Sequence, residues 1–159
     1  MAARTSAAPA PSSAATPELV ITRVFDAPRS LVFKAWTRPE HLARWWGPKG
    51  FTLLSCETDV RPGGAWVRCM RAPDGSRHIK RGVYREIAPP ERLVFTYVNE
   101  DADGRLGPET VVTVTFEEQG AKTRLTLHQT GFDSIASRDG HEGGWTSCLE
   151  RFAEYLANL

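Results

Sequence analysis

The chain has 159 residues, with 20 Lys and Arg against 19 Asp and Glu, and 41% of its residues are hydrophobic. That is one domain's worth, and a domain of this size buries about 70% of its unfolded surface, so it needs neither a disulfide nor a structural metal. The net charge of +1 excludes the basic footprint of a nucleic-acid binder and a basic surface for anionic lipid, and no apolar run approaches the ~20 residues of a membrane span.

Neither nucleic acid nor membrane is therefore expected as a partner, and the chain reads as soluble and cytoplasmic. Cys56, Cys69 and Cys148 are odd in number and widely spaced, without zinc-finger spacing. They read as small buried hydrophobes in a reducing compartment. No metal or cofactor site is expected.

Residues 1–17 are almost entirely Ala, Ser, Thr and Pro, with Arg4 the only charge. Such a segment cannot offset its ordering entropy and reads as a disordered tail. Pro9 and Pro11 interrupt the continuous apolar core that a secretory signal needs, while a Ser-rich, acid-poor organelle address stays open. Without the tail, 18–159 reads as a single domain with 19 basic and 19 acidic residues, which leaves it no net electrostatic preference for a ligand.

Glu18–Phe25 carries Leu19, Ile21 and Val24 in a β-rich run and reads as a strand. Asp26-Ala27-Pro28 supplies a capping carboxylate and a proline ahead of Leu31, Val32, Ala35 and Trp36 at helical spacing. A short second helix follows from Arg38-Pro39-Glu40 through Trp45, ended by Gly47-Pro48. Strand signals then recur over Phe51–Val60, Ala65–Arg71, His78–Ile87, Leu93–Val98, Thr110–Phe116 and Thr123–Thr130, with turns between them that favour antiparallel pairing.

From His141 or Gly144 onward, Trp145, Cys148, Leu149, Phe152, Tyr155, Leu156 and Leu159 recur at three- and four-residue steps, the mark of an amphipathic helix. Glu150, Arg151, Glu154 and Asn158 take its other side. A long helix with an apolar stripe needs a surface to cover, and one face of the sheet is the candidate.

The local sequence carries a resemblance. Phe25-Asp26-Ala27-Pro28, Trp36-Thr37, Trp45-Trp46-Gly47-Pro48, Arg61-Pro62-Gly63-Gly64 with Trp66, Gly82-Val83-Tyr84, Pro89-Pro90-Glu91-Arg92-Leu93, Gly131-Phe132 and His141 with Gly144-Trp145 follow in order. In these motifs 18–159 resembles the SRPBCC superfamily, and within it the homologues of the activator of heat-shock protein 90 ATPase. The resemblance implies an α+β helix-grip (START-like) fold: a curved antiparallel sheet wrapped around a long C-terminal helix, with two short helices after the first strand. It also implies an apolar cavity between sheet and helix and no shared cofactor.

The candidate cavity residues are Trp66, Arg68 and Met70 on one strand, Tyr84, Phe95 and Tyr97 on the next two, and Phe132, His141, Trp145 and Leu149 toward the end. Apolar walls with a few polar groups suit a ligand pocket, although close packing is the default state of such side chains. Arg68, if inward, must pair or reach water and could hold a carboxylate or phenolate. A one-residue slip would turn Val67 inward instead.

His141 and Trp145, four apart, share a helix face. His141 either helps start the helix and bonds nearby backbone or stands as an acid or base at the cavity mouth. Asn99-x-Asp101-x-Asp103-Gly104 imitates a calcium loop, but Thr110 replaces the bidentate Glu, and an exposed hairpin loop is the better reading. His128 reads as surface or edge, and His41 and His78 as solvated. No local catalytic or phosphate-binding motif occurs.

Three functions are weighed. The first is a binding protein for a small hydrophobic molecule, aromatic, lipid or polyketide-like, with no catalytic residue. The second is a co-chaperone that engages a heat-shock ATPase, and with it a stress response. The third is a cyclase- or hydrolase-type enzyme, polyketide cyclase/aromatase-like, using His141 or Tyr84. A monomer or weak homodimer is expected.

Overall fold

Along β1 (Glu18–Phe25), Leu19 and Phe25 are buried and Ile21 half-buried, while Val20, Thr22 and Val24 are exposed, so a period of two turns one face inward. The structure, a computed structural model, describes residues 16–159. Of the expected tail, 1–15 lie outside the described residues.

Two short helices follow, α1 (Arg29–Thr37) and α2 (Pro39–Trp45). Pro39 opens α2, where its missing N–H costs nothing. Asp26 does not cap α1: the N-cap is Pro28, without a side-chain cap, and its carbonyl accepts the Leu31 and Val32 N–H groups.

Six strands complete the sheet: β2 (Thr52–Thr58), β3 (Ala65–Arg71), β4 (Arg77–Ala88), β5 (Arg92–Glu100), β6 (Thr110–Gln119) and β7 (Lys122–Thr130). Their order is β1-β7-β6-β5-β4-β3-β2, and every pairing is antiparallel. The last helix, α3 (Ile135–Ala157), begins earlier than its apolar stripe. Ser134 caps it by accepting the Ser137 N–H. Its first turns bury no apolar side chain, and Gly140, Gly143 and Gly144 lie inside it rather than at its start.

Trp145, Cys148, Leu149, Phe152 and Leu156 form the buried stripe of α3. The result is an α+β helix-grip fold, with the curved antiparallel sheet gripping α3 and closed on one side by α1 and α2. The five tryptophans form one cluster. Trp36 stands 5.0 Å from Trp45, 6.3 Å from Trp46 and 6.0 Å from Trp145, and Trp46 continues to Trp66 at 5.9 Å.

Room for Trp66 comes from its cross-strand partner. Gly82 lies opposite it in register, and the indole N–H of Trp66 reaches across to the Thr96 carbonyl at 3.2 Å. A Cβ on Gly82 would stand 1.8 Å from that oxygen and 2.7 Å from the indole nitrogen. The loop between β5 and β6 is an exposed hairpin loop in which the Asp101 carboxylate accepts the Asp103 and Arg105 N–H groups. Among the described residues no helix is long and apolar enough to cross a membrane.

Candidate functional site

One cavity of about 320 Å³ lies between α3, the segment after α2 and the inner faces of β3, β4 and β5. Trp46, Phe51, Met70 and Trp145 supply its apolar walls, while His78, Lys80, Tyr97 and His141 bring polar atoms. Strand register explains the set: Met70 pairs with His78, and Lys80 with Asn99 two residues beyond Tyr97.

Gly140 and Gly144 are among the α3 residues that line the cavity. They are one turn apart on one face. A Cβ on Gly140 would meet nothing within 4 Å, and one on Gly144 only Pro48 at 3.9 Å.

The 46–51 segment is tied to α3. Arg151 donates from one guanidinium nitrogen to the carbonyls of Trp46, Gly47 and Pro48 at 3.4, 3.0 and 3.3 Å. The Gly47 N–H points at Cys148 Sγ (3.3 Å), and the Lys49 N–H at Ser147 Oγ (2.8 Å). Burial pushes the Cys148 thiol up to about 12, so it serves as a neutral packing group. Arg151, expected on the solvent side of α3, is thus half-buried as a clasp.

Of the candidate residues, Met70, Tyr97, His141 and Trp145 line this cavity. Trp66, Arg68, Tyr84 and Phe95 instead surround a second void of about 10 Å³ together with Trp36 and Trp46, a volume at the lower limit for one water. Leu149 is fully buried in the core, and Phe132 packs its ring 5.1 Å from His141. Trp66, Met70 and Tyr84 are on the inward faces because β3 and β4 pair without slippage from Ala65 to Arg71.

Arg68 faces inward, which settles the choice between it and Val67. It is 2% exposed, donates to the Glu57 and Val67 carbonyls at 2.9 and 3.3 Å, and lies 5.0 and 5.1 Å from the Trp46 and Trp66 rings. Its Nε has no acceptor among the described residues. Carbonyls and indole faces occupy the guanidinium, and it does not line the larger cavity.

Several residues were not anticipated. His78 is half-buried beside Phe51 (5.5 Å between rings) and shares a hydrogen bond with Ser76. His41, also half-buried rather than solvated, bonds the Tyr155 hydroxyl. His128 is on the outer surface of β7, which is paired on both sides, and lies 2.8 Å from Glu18. Buried Gln129 accepts the Trp145 indole N–H at 2.8 Å and donates to Thr110 at 2.9 Å, so it fixes the rotamer of a cavity wall. The inward alternation Leu125, Leu127, Gln129 was the signal for it.

A polar chain links β4 and β5 to α3 beside the cavity. Lys80 donates to Asn99 Oδ1, Asn99 Nδ2 lies 3.1 Å from His141 Nε2, and His141 Nδ1 lies 2.8 Å from the Ser137 carbonyl. An ammonium only donates and a carbonyl only accepts, which fixes both ends. Asn99 must turn its carbonyl to Lys80 and its amide to His141, whose Nε2 is therefore a bare acceptor while Nδ1 carries the proton.

Burial is the main force lowering the His141 pKa, with Lys80 adding to it and the Ser137 bond opposing. The folded value lies below the unfolded one of about 6.5, so the unfolded chain binds more protons in the window beneath it. Stability is accordingly lost as pH falls through that window. Denaturant titrations between about pH 7.5 and about pH 5.5 are expected to show a shallower acid loss in His141→Gln than in the wild type. An unchanged slope would remove the locked-neutral assignment.

A family model described as activator of Hsp90 ATPase homolog 1-like protein matches residues 26–157. The chain belongs to this family. It is similar to the crystal structure of the AHSA1 protein from Silicibacter pomeroyi, at 29% identity and a TM-score of 0.81, covering 89% of this chain and 98% of that one. A protein from Chromobacterium violaceum is 29% identical with a TM-score of 0.76, over 86% and 94%. A solution structure from Arthrobacter aurescens is 27% identical with a TM-score of 0.77, over 89% and 87%. No curated protein matches the chain.

Proposed function

We propose that this protein binds a small hydrophobic molecule, aromatic, lipid or polyketide-like, in the cavity between sheet and α3. The observation that carries the reading is the pair Gly140 and Gly144. A helix-interior glycine costs about 1 kcal/mol against alanine, yet two of them stand one turn apart where they border open volume. The cavity's 320 Å³ falls in the range of small-molecule sites. Met70, Tyr97, His141 and Trp145 are its candidate ligand contacts, whereas Trp66, Arg68, Tyr84, Phe95, Phe132 and Leu149 support those walls from behind.

Both ring nitrogens of His141 are engaged, by Ser137 and Asn99, and this favours binding over a cyclase or hydrolase role, in which a nitrogen must reach a substrate proton. The family description supplies a co-chaperone reading, which increased ATP turnover by a heat-shock ATPase on addition of this protein would support.

The test is a melting screen against flavonoids, fatty acids and polyketides. A ligand at a hundred times its Kd adds about 2.7 kcal/mol, which raises Tm by about 5–10 °C in a domain of this size. Gly144→Leu is expected to fill the cavity and abolish the response. Gly143→Ala, whose Cβ meets nothing, should stabilise the fold by about 1 kcal/mol and leave the response intact. No shift across the panel, or a full shift in Gly144→Leu, would overturn the proposal.

A further inference from the structure

The cavity that this reading makes a binding site is electrically one-sided. Among the described residues its lining holds the cation Lys80 and no Asp or Glu, while His141 is neutral. Lys80 pairs across the strands directly with Arg68, so two cations stand opposite each other on the inner face, an arrangement that repels. Neither has a carboxylate partner among the described ion pairs. The neighbouring carboxylate, Glu100, is held on the other face by Arg81 at 2.8 Å.

An ammonium has three N–H donors, and the one acceptor Lys80 has among the described residues is Asn99 Oδ1. Half-buried, it loses hydration without gaining a counter-charge, and burial lowers its pKa accordingly. Arg68 cannot serve the same end: its guanidinium is held by carbonyls outside the larger cavity. The apolar walls of the same cavity come from Trp46, Phe51, Met70 and Trp145. The cavity's 320 Å³ suits a one- or two-ring body.

We infer that the ligand is an amphipathic anion, an aromatic body bearing a carboxylate or other anionic oxygen group, and that Lys80 is the residue that receives the charge. The assignment rests on the cavity reading above and adds the ligand's chemical class. A neutral polyketide or a cationic aromatic amine would leave the Lys80 charge uncompensated or opposed. The Lys80–Asn99–His141 chain holds the ammonium in place, so the anionic group lies against Lys80 and the rings against the apolar walls.

The test uses three probes of one shape: 2-naphthoate, methyl 2-naphthoate and 2-naphthylmethylammonium, titrated calorimetrically against the full chain at about pH 7.5. Naphthoate is expected to bind about ten- to hundredfold more tightly than its ester, as for a charge-assisted hydrogen bond, and the ammonium most weakly. In Lys80→Met the acid-to-ester ratio should fall to about one while the ester's affinity holds, and Lys80→Gln repeats the measurement with a polar side chain.

If neither acid nor ester binds the wild type, the cavity reading itself falls. If both bind equally, or the ratio survives both substitutions, the anion assignment falls and the cavity reading stands. The wild-type comparison of the three probes decides the matter even where a variant fails to fold.

Discussion

Gly82→Ala is expected to lose about 3 kcal/mol or more of stability, at the upper end of the cost of overpacking. A single methyl does this because its nearest neighbour would be a backbone carbonyl, Thr96 O at 1.8 Å, rather than a movable side-chain tip. To admit it, β4 must move from β5, and the Trp66 indole, 2.7 Å from the new carbon, must give up its bond to that carbonyl. The shift would also strain the Val83 N–H bond to Thr96 Oγ1 at 2.8 Å. In thermal unfolding the loss corresponds to a fall in Tm of about 6–12 °C. The same substitution at Gly143 has the opposite expected sign, so the pair separates steric cost from the general effect of glycine replacement. A loss below about 1 kcal/mol would show that the strands relax freely around Gly82.

Trp36→Ala is expected to cost about 3–5 kcal/mol, as for other large-to-small changes of buried aromatics. Trp36 is 2% exposed and stands at the hub of the aromatic cluster, with Trp45, Trp46, Trp145, Phe116 and Phe152 around it. Its near-parallel stack on Trp145, at an interplanar angle of 25°, backs a wall of the cavity, so ligand-induced stabilisation should weaken along with the fold. Trp36→Phe provides the informative contrast. The Trp36 indole N–H is buried without an acceptor among the described residues. Removing such a group recovers about 1–3 kcal/mol of desolvation penalty, which offsets part of the lost ring contact. Denaturant unfolding of the two variants should therefore place Trp36→Phe close to the wild type and Trp36→Ala far below it. Equal losses would mean that the N–H is satisfied.

The strand boundaries were largely legible because turn residues punctuate them: Pro73-Asp74-Gly75 and Gly120 sit between strands that begin and end within a few residues of expectation. The start of α3 was not. Between Ser134 and Gly144 the helix has three glycines and no buried apolar residue, so neither propensity nor periodicity reveals it, and only the Ser134 cap does. The cavity was half legible for a related reason. Met70, Tyr97, His141 and Trp145 could be placed from alternation and helix spacing, but Lys80 and His78 depend on the β3–β4 register. Phe51 and Trp46 depend on how Arg151 clasps the segment after α2, a contact 104 residues long. Arg68 drew attention as the lone cation among apolar neighbours. Its inward orientation was one of two open readings, while the carbonyls that occupy it lie on the backbone and leave no mark in side-chain pattern.

The sheet order has a kinetic consequence. From β2 to β7 every strand pairs with its sequence neighbour, so that meander can assemble from successive hairpins, each closing a short loop. β1 pairs only with β7, and contacts such as Glu18 to His128 span 110 residues. Closure entropy for so distant a pairing must be met before its contacts contribute. During synthesis β1 emerges before the other strands of the sheet and its partner β7 after them, which leaves an edge-forming strand with exposed Val20 and Val24 waiting in between. Pairing of β1 is thus the longest-range closure in the sheet, and its edge is open to mispairing until β7 is available.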